Sequence, residues 1–357
     1  MKKKTAKSKP DTTRILLIIL CIFLALVLAA LIMVAVAQRY LDLINKNVND
    51  TPMSSDEYQQ WLDDQTELPS GQGETIPPED ITWTEPSIEQ SEEVINILLI
   101  GQDRREGQSR QRSDAMILCT INPKTKTMTL TSFMRDLYVQ IPSYNPNKMN
   151  ACYMIGGMSL LADCVEANFG IHVDGCVEVD FSGFMDLVDL VGGVDIELNQ
   201  DEADYLNRRG NWDFNNASAG AWNLKAGVNH LNGEQAFAYS RIRYVGNGDF
   251  ERTERQRKVV MALVEQSRDL SLSEINKLLE SALPMLTTNL SNLEMMGYTA
   301  RVFPMLKDLQ MQTQRVPMDG TWNYAVIGDL DVVRIIDMES NLEMLQKTVG
   351  ETETDSE

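Results

Sequence analysis

Residues 94–101 read VINILLIG, a run whose apolar side chains fall at both odd and even positions. A strand with this pattern is buried on both faces, which requires a sheet covered by helices on its two sides. Further strands are predicted at residues 114–121, 127–133, 137–141 and 173–179, and helices at residues 151–169 and 181–190. This order of elements predicts an α/β domain with three layers, α-β-α, around a mixed central sheet.

The sequence that follows the predicted core, residues 266–347, is expected to be mainly helical. Capping-box pairs mark two helix starts, Ser271 with Glu274 and Ser291 with Glu294. A strand-like MQTQRVPMDG at residues 311–320, a WNYAVIG segment at residues 322–328 and a last helix at residues 331–347 complete the region. The tail at residues 348–357 is acidic.

The sequence that precedes the core predicts a membrane anchor. Residues 1–14 are basic, and residues 15–37 form an uncharged run long enough to cross a hydrocarbon layer of roughly 30 Å. Because basic flanks stay in the cytoplasm, we expect residues 1–14 inside the cell and the bulk of the chain outside. Residues 38–93 are acidic and rich in proline, which predicts a short helix and then a flexible linker.

Charge and cysteine content narrow the classes of function. The net charge of −20 excludes nucleic acid as a partner. Four cysteines follow the predicted anchor, where disulfides are permitted. Cys119 alternates with apolar side chains and is predicted to be a core thiol. We expect Cys164 and Cys176 to form a bridge.

A basic stretch at residues 239–258, YSRIRYVGNGDFERTERQRK, reverses the overall acidic charge. The preceding AFAYSRIR, residues 236–243, alternates like a strand and would place Arg241 and Arg243 on one face. A helix from Phe250 onward would place Arg252, Arg255 and Gln256 on one side. Guanidinium groups gathered in this way favour a bound anion such as phosphate. The alternative is a solvated helix face whose arginines pair with neighbouring glutamates.

Two further polar segments follow predicted strands. GQDRREGQSRQRSD, residues 101–114, places Asp103 and Asp114 on either side of an Arg-rich loop that includes Arg112. Two carboxylates at a sheet edge suit Mg²⁺, whereas the alternative is a loop held by its own salt bridges. In SFMRDLYVQIP, residues 132–142, Arg135 and Asp136 interrupt an apolar run and must pair with each other or reach the same cleft.

Only two histidines occur in the chain, and neither accompanies a GxSxG-type nucleophile. Hydrolysis by a Ser-His-Asp triad and histidine-rich zinc chemistry are therefore excluded. The remaining side chains are arginines and carboxylates, which together with a metal ion are the equipment of phosphoryl transfer.

Six segments in order resemble the motifs of the LytR-CpsA-Psr family of cell-wall ligases. They are GQDRREGQSRQRSDAMIL (101–118), SFMRDLYVQIP (132–142), NKMNACYMIGG (147–157), VDFSGFMDLVDLVGGVDI (179–196), LNGEQAFAYSRIR (231–243) and GDFERTERQRKVV (248–260). The resemblance implies a catalytic domain at residues 94–347, with its core at residues 94–265. It also implies an extracellular enzyme that moves a teichoic acid or capsular polysaccharide from a polyprenyl pyrophosphate carrier to peptidoglycan.

The resemblance also assigns roles to individual residues. Asp103 and Asp114 match the family's Mg²⁺-associated aspartates. The pyrophosphate-binding positions match Arg112, Arg135, Arg241, Arg243, Arg252 and Arg255, with Gln256 beside them. Arg135 would stabilise the transferred phosphoryl group, and Asp103 or Asp136 would accept the proton of the acceptor hydroxyl.

Two alternatives and one open assignment remain at the level of sequence. A lipid pyrophosphatase would use the same site with water in place of the sugar, and a non-catalytic scaffold would bind the lipid-linked glycan without turnover. The apolar stripes at residues 153–169, 181–190 and 259–264 would either line a prenyl groove or belong to the ordinary core.

Overall fold

The computed structural model describes residues 38–46, 50–63, 73–102, 110–208, 222–268 and 270–350. The strands in these ranges are β1 (Asn45–Lys46), β2 (Glu74–Ile76), β3 (Ile95–Gln102), β4 (Ser113–Asn122), β5 (Thr127–Phe133), β6 (Tyr138–Val139), β7 (Asn147–Lys148), β8 (Gly175–Asp180), β9 (Val194–Leu198), β10 (Gly227–Leu231), β11 (Leu286–Thr288), β12 (Gln310–Val316), β13 (Trp322–Ile327) and β14 (Leu330–Ile335).

The α-helices in the same ranges are α1 (Ser55–Asp63), α2 (Met149–Phe169), α3 (Phe181–Leu190), α4 (Gln200–Leu206), α5 (Gly233–Ser240), α6 (Asp249–Arg268), α7 (Leu272–Ala282), α8 (Asn292–Val302) and α9 (Met338–Val349). None of these helices is long and apolar enough to cross a membrane. The apolar run at residues 15–37, which is the predicted anchor, lies outside the described residues.

A seven-stranded sheet in the order β1-β11-β8-β3-β4-β5-β12 forms the centre of the domain. Strand β3 pairs antiparallel with β4 and parallel with β8, so the sheet is mixed. Strand β4 pairs antiparallel with β5, which in turn pairs parallel with β12. The VINILLIG run thus supplies a central strand that is covered on both faces.

Side chains that alternate along β3 and β4 build two apolar layers. Leu98 and Leu118 face α2 and α9 in the larger core cluster. Ile117 and Cys119 point the opposite way, and side chains of α6 such as Val260 pack with that layer. The sheet is therefore sandwiched between helices, and the predicted three-layer α/β architecture is confirmed.

The short segment at residues 137–141 does not join the central sheet as predicted. Only Tyr138 and Val139 are extended, and they pair with β7 in a separate two-stranded ribbon. Leu137 is fully buried, so the apolar run reflects packing against the core and not membership of a long strand. The ribbon carries Lys148 next to the start of α2.

The prediction of a strand at residues 236–243 is wrong, because this segment forms helix α5 and its C-terminal cap. A capping box begins the helix: the Asn232 side chain accepts from Gln235 N, and the Gln235 side chain accepts from Asn232 N. All the residues from Ala236 to Ser240 are buried. The apparent alternation of polar and apolar residues therefore could not distinguish a strand from a helix. Arg241 caps the helix in an αR conformation.

The C-terminal region contains more strand than predicted. Strand β12 corresponds to the strand-like segment predicted at residues 311–320, whereas β11 was not predicted, and both join the central sheet. Strand β14 occupies the first part of the predicted last helix, which begins only at Met338. The valines of β14 are buried against β13, and this burial favours a strand over a helix. Both predicted capping boxes, at Ser271 and Ser291, are confirmed.

The acidic segment at residues 38–93 is not a free linker where the structure describes it. Helix α1 places Tyr58, which is 5% exposed, in the main core cluster beside Tyr144. Strand β2 pairs parallel with β13. A few large apolar side chains anchor the segment even though its average composition is polar, and composition alone therefore mispredicted it.

Helix α2 is broken near its middle, and the N-terminal segment stabilises the break. Gly157 has a φ of 70° at the kink. The Asp50 carboxylate accepts from Met158 N at 2.6 Å and from Ser159 N at 2.9 Å. The Arg110 side chain donates to the carbonyl oxygens of the preceding turn, including that of Ile155 at 2.9 Å. Asp50 thus acts as an N-cap for the second half of the helix.

The predicted bridge between Cys164 and Cys176 does not form. Cys119, Cys152, Cys164 and Cys176 are all free and buried. Cys119 is a core thiol as predicted, and burial raises its pKa to about 12. These cysteines pack as small apolar side chains, for which spacing along the sequence is no guide to pairing.

Candidate active site

A cavity of about 290 Å³ lies between the central sheet and helices α3 and α6. Its apolar lining includes Leu99, Ile117, Val177, Phe181, Phe184, Leu187, Val260 and Leu263. Its polar and charged lining includes Asp114, Arg241, Arg243, Arg252 and Gln256. Along α6, Arg252 stands in the first turn and Leu263 about 16 Å further on. We call this space the α6 cavity; it runs from a charged end to an apolar end.

The α6 cavity brings together residues that are far apart in the sequence. Asp114 is the second residue of β4, next to the end of β3. Arg241 and Arg243 follow α5, and the guanidinium of Arg241 lies 5.0 Å from the centre of the Phe181 ring. The stripes at residues 181–190 and 259–264 contribute apolar lining, whereas residues 153–169 belong to the core on the other face of the sheet.

Arg135 occupies the centre of a cluster of carboxylates next to the cavity. Its Nη1 lies 3.1 Å from Asp114 Oδ1, its Nε 3.1 Å from Asp136 Oδ2 and its Nη2 3.5 Å from Asp249 Oδ2. Burial opposes the charge of Arg135, but the three carboxylates outweigh that effect and raise its pKa. Arg135 is therefore a permanently charged group held in a fixed orientation.

Asp249 is a site residue that the sequence analysis missed. Its Oδ1 lies 2.9 Å from Arg252 Nη1 and 3.4 Å from Arg243 Nε, in addition to its contact with Arg135. Asp249 therefore joins three of the predicted anion-binding arginines. Its position as the first residue of α6 was a usable signal, because acidic residues favour the first turn of a helix.

Arg252 carries the strongest sign of an anion site. The residue is only 2% exposed, and neither its Nε nor its Nη1 makes a hydrogen bond of good geometry, although Nη1 pairs with Asp249. Burial lowers its pKa to about 10, assisted by the like charges of Arg135 and Arg243. It is still charged at neutral pH, and a bound anion would satisfy both its charge and its donors.

Arg255, although predicted to bind the anion, is placed elsewhere. It is 2% exposed, and its Nε and Nη2 lie 2.7 Å from Glu202 Oε1 and Glu251 Oε2, respectively. It also donates to the carbonyl oxygens of Ile242 and Val245, each at 3.1 Å. These contacts use four donors, so Arg255 fixes the turn after α5 and does not reach the α6 cavity.

Arg112, which was predicted to bind the pyrophosphate, does not line the α6 cavity; it lies with Lys148 on a different side of the Arg135 cluster. Lys148 Nζ is 3.3 Å from Asp136 Oδ1, and the Arg112 guanidinium lies 5.6 Å from the centre of the Trp61 ring. Both side chains line a second cavity of about 480 Å³. Burial opposes ionisation of Asp136, but Arg135 and Lys148 outweigh it and lower its pKa. Asp136 is thus an ionised carboxylate between two cations.

The predicted metal ligands are only partly within the described residues. Asp114 lines the α6 cavity, while Asp103 lies outside the ranges that the structure describes. Among the residues described, no group of three or more metal-binding side chains is arranged to hold an ion. The oxygens of Asp114 have the hard character that Mg²⁺ prefers, and they would need further ligands from elsewhere, such as Asp103 or the substrate.

Comparisons with known proteins agree with this geometry. A model of the LytR_cpsA_psr family matches residues 58–343. The chain is 33% identical over 254 residues to polyisoprenyl-teichoic acid–peptidoglycan teichoic acid transferase TagU of Enterococcus faecalis, covering 69% of this chain and 78% of the relative.

Solved structures of related proteins have a similar fold. TagV of Bacillus subtilis is similar with a TM-score of 0.57 and 30% identity, over 72% of this chain and 96% of that one. The structure of TagT with bound octaprenyl pyrophosphate lipid is similar with a TM-score of 0.54 and 25% identity, over 74% of this chain and 91% of that one.

Proposed function

Because the chain belongs to the LytR_cpsA_psr family, we propose that it transfers an anionic glycopolymer from a polyprenyl pyrophosphate carrier to peptidoglycan, forming a phosphodiester. The polymer would be of the teichoic acid or capsular polysaccharide type. Support comes from relatives named as teichoic acid transferases acting on peptidoglycan, and from the TagT structure that holds octaprenyl pyrophosphate.

The observation that carries the proposal is that the α6 cavity has a charged end and an apolar end. A prenyl pyrophosphate is a flexible apolar chain that ends in a compact, highly charged group. The apolar side chains of α3, α6 and the sheet suit the chain, and Arg241, Arg243 and Arg252 suit the pyrophosphate. The donors of Arg252 that lack good hydrogen bonds are buried where the charged group would lie.

The chemistry is a displacement at the phosphorus that carries the glycan. An acceptor hydroxyl oxygen bonds to this phosphorus, the bond to the bridging oxygen breaks, and prenyl phosphate leaves with the electron pair. Negative charge grows on the bridging oxygen and the equatorial oxygens, and the fixed guanidinium of Arg135 would stabilise it. Because carboxylates already hold the Arg135 guanidinium in place, it needs little reorientation as the transition state forms.

The proton of the acceptor hydroxyl needs a base. Asp136 is ionised, half-buried and adjacent to Arg135, so it can accept the proton once the oxygen begins to bond to phosphorus. Asp103 remains the second candidate. The lowered pKa makes Asp136 a weak base, which fits a reaction in which the proton departs late.

Mg²⁺ is part of the proposal as a substrate-neutralising ion. We expect Asp114 and Asp103 to hold it, and it would supply Lewis-acid stabilisation to the pyrophosphate when bound. The ion pair between Asp114 and Arg135 would then also orient the metal ligand, because it keeps the Asp114 carboxylate turned toward the cavity.

Membrane attachment also belongs to the proposal. The uncharged residues 15–37 would anchor the protein in the cell membrane with residues 1–14 in the cytoplasm and the catalytic domain outside. This placement would bring the α6 cavity to the surface where a prenyl-linked polymer and peptidoglycan meet.

The test is a transfer assay with the full-length protein in detergent micelles. The substrates are a short-chain prenyl pyrophosphate oligosaccharide, Mg²⁺ and peptidoglycan fragments, and mass spectrometry identifies the products. We expect a phosphodiester-linked sugar on the acceptor and free prenyl phosphate. Arg135→Ala should reduce the rate by about a hundredfold or more, the usual effect of removing a charge-stabilising group.

Arg301→Ala is the matched control, because Arg301 pairs with Glu93 at the surface and does not line the cavity. It should leave the rate unchanged. Prenyl phosphate release that is independent of acceptor would assign a pyrophosphatase instead. Tight binding of intact donor, with no product and no effect of Arg135→Ala beyond affinity, would assign a scaffold.

A further inference from the structure

A second cavity lies next to the Arg135 cluster. It has a volume of about 480 Å³, within the range of about 300–1,000 Å³ that is usual for ligand pockets. Lys148 lines this cavity and contacts Asp136, which in turn contacts Arg135. One carboxylate thus separates the second cavity from the proposed reaction centre.

An aromatic platform extends the second cavity. Tyr138 lines both it and a third cavity of about 190 Å³. The ring of Tyr138 stacks on Trp83, with centroids 5.6 Å apart and planes inclined at 25°. Both rings are half-buried, so each retains accessible surface. Tyr138 thus borders two cavities, which we together call the Tyr138 groove.

The polar lining of the Tyr138 groove suits uncharged hydroxyl and amide groups. Its side chains include Asn145, Asn147, Asp329, Asp331, Arg112 and Lys148. Amides, carboxylates and guanidinium groups provide donors and acceptors in fixed planes, and aromatic faces cover the apolar faces of a ring. The combination of stacking and planar hydrogen-bonding groups is the lining that a sugar ring requires.

The charges of the groove argue against the anionic donor polymer as its occupant. Asp329 is exposed and Asp331 is half-buried on the β13–β14 hairpin, and both would repel a chain of phosphates. In the larger cavity, which lies next to the reaction centre, Arg112 and Lys148 balance these carboxylates. The α6 cavity differs, because there three arginines face two carboxylates, Asp114 and Asp180.

We propose that the Tyr138 groove binds the acceptor, an uncharged N-acetylhexosamine glycan strand of peptidoglycan, and delivers its hydroxyl to the reaction centre from the Lys148 side. The proposal rests on the transferase function. It places donor and acceptor in separate cavities that meet at Arg135 and Asp136. Of the two candidate bases, Asp136 is then the one beside the incoming hydroxyl.

The experiment uses the full-length protein in detergent micelles with a tetrasaccharide of alternating N-acetylglucosamine and N-acetylmuramic acid, whose lactyl carboxyl groups are blocked as methylamides so that the glycan is uncharged. Calorimetry measures its Kd without donor, and the transfer assay measures KM for acceptor and donor separately. We expect Trp83→Ala to raise the acceptor Kd and KM by about tenfold while the donor KM is unchanged. Trp83→Phe, which keeps a stacking face, should restore most of the affinity.

Two further variants distinguish a specific effect on the groove from a general loss of folding. Asn145→Ala removes an exposed side chain of the groove and should raise the acceptor KM a few-fold. Phe303→Ala removes an aromatic side chain that is 65% exposed and lies outside the groove, and it should change neither constant. A Trp83→Ala protein that melts like the wild type excludes a general defect.

The outcomes separate the groove from the transferase function. Transfer with an unchanged acceptor KM in Trp83→Ala and Asn145→Ala would overturn the groove and leave the transferase intact. A rise in the donor KM alone would assign the groove to the donor polymer and also overturn the proposal. Trp83-dependent binding of the tetrasaccharide without any transfer by the wild type would support the groove and refute the transferase.

Discussion

Arg252 and Arg255 lie one turn apart on α6 and are equally buried, yet they differ in their hydrogen bonds and in their position relative to the α6 cavity. Both are 2% exposed. Arg255 makes four hydrogen bonds, two of them to carboxylates, whereas Nε and Nη1 of Arg252 lack good hydrogen bonds. The difference teaches that burial alone does not define the role of an arginine; incomplete hydrogen bonding and a position at the cavity together distinguish Arg252.

Arg255→Met should have the largest effect on stability. It leaves the Glu202 carboxylate, 5% exposed, without its cation, and we expect the free energy of unfolding to fall by about 3–5 kcal/mol. Denaturant titration followed by circular dichroism measures the change. The double variant Arg255→Met/Glu202→Gln should recover part of the loss, since glutamine keeps the helix cap without the charge. A loss below about 1 kcal/mol in the single variant would contradict the structural role.

Arg252→Met should affect activity and not stability. We expect the transfer rate to fall by about 10²–10³-fold because a group that stabilises the pyrophosphate is removed. The free energy of unfolding should stay the same or rise, because the buried charge has a lowered pKa and therefore costs free energy in the folded state. The same rate and unfolding measurements on Arg301→Met serve as the control. If Arg252→Met lost as much stability as Arg255→Met, the distinction between a ligand-binding Arg252 and a structural Arg255 would be wrong.

The smallest effect is expected at Asp136, which is partly open to solvent. Its lowered pKa means that its contribution to stability is present above its ordinary pKa of about 3.9 and is lost as pH falls through the folded-state value. Asp136→Asn should therefore cost about 1 kcal/mol at pH 7, with the difference from wild type shrinking below pH 4. Denaturant titrations of both proteins from pH 7 to pH 3 test this. A difference that is constant over this range would show that folding does not lower the pKa of Asp136.

The layers of the fold were readable from the sequence, but the secondary structure of fully buried segments was not. VINILLIG is only eight residues long and half of its residues are β-branched, and both features favour a buried strand over a buried helix. AFAYSRIR is buried all round, so its alternation meant nothing, and the decisive signal was the capping pair Asn232 and Gln235. In this segment the helix-capping residues predicted the secondary structure more reliably than the spacing of apolar residues did.

The site was predictable as a set of charges but not as a set of contacts. Arg241, Arg243, Arg252, Gln256 and Asp114 meet at one cavity as expected. Arg255 was assigned to the same set because it shares a helix face with them, and sequence spacing could not reveal Glu202 as its partner. Asp249 was overlooked because two of its three arginine partners, Arg135 and Arg243, come from segments that only the fold brings next to α6.

The cap that Asp50 provides at the kink of α2 determines where a truncated fragment of this protein has to begin. A fragment starting at Val94 would leave the amides of Met158 and Ser159 without their carboxylate acceptor. It would also uncover the pocket that Tyr58 fills beside Tyr144. Such a fragment would expose apolar surface and would be expected to aggregate, whereas one that begins before Asp50 would retain both contacts.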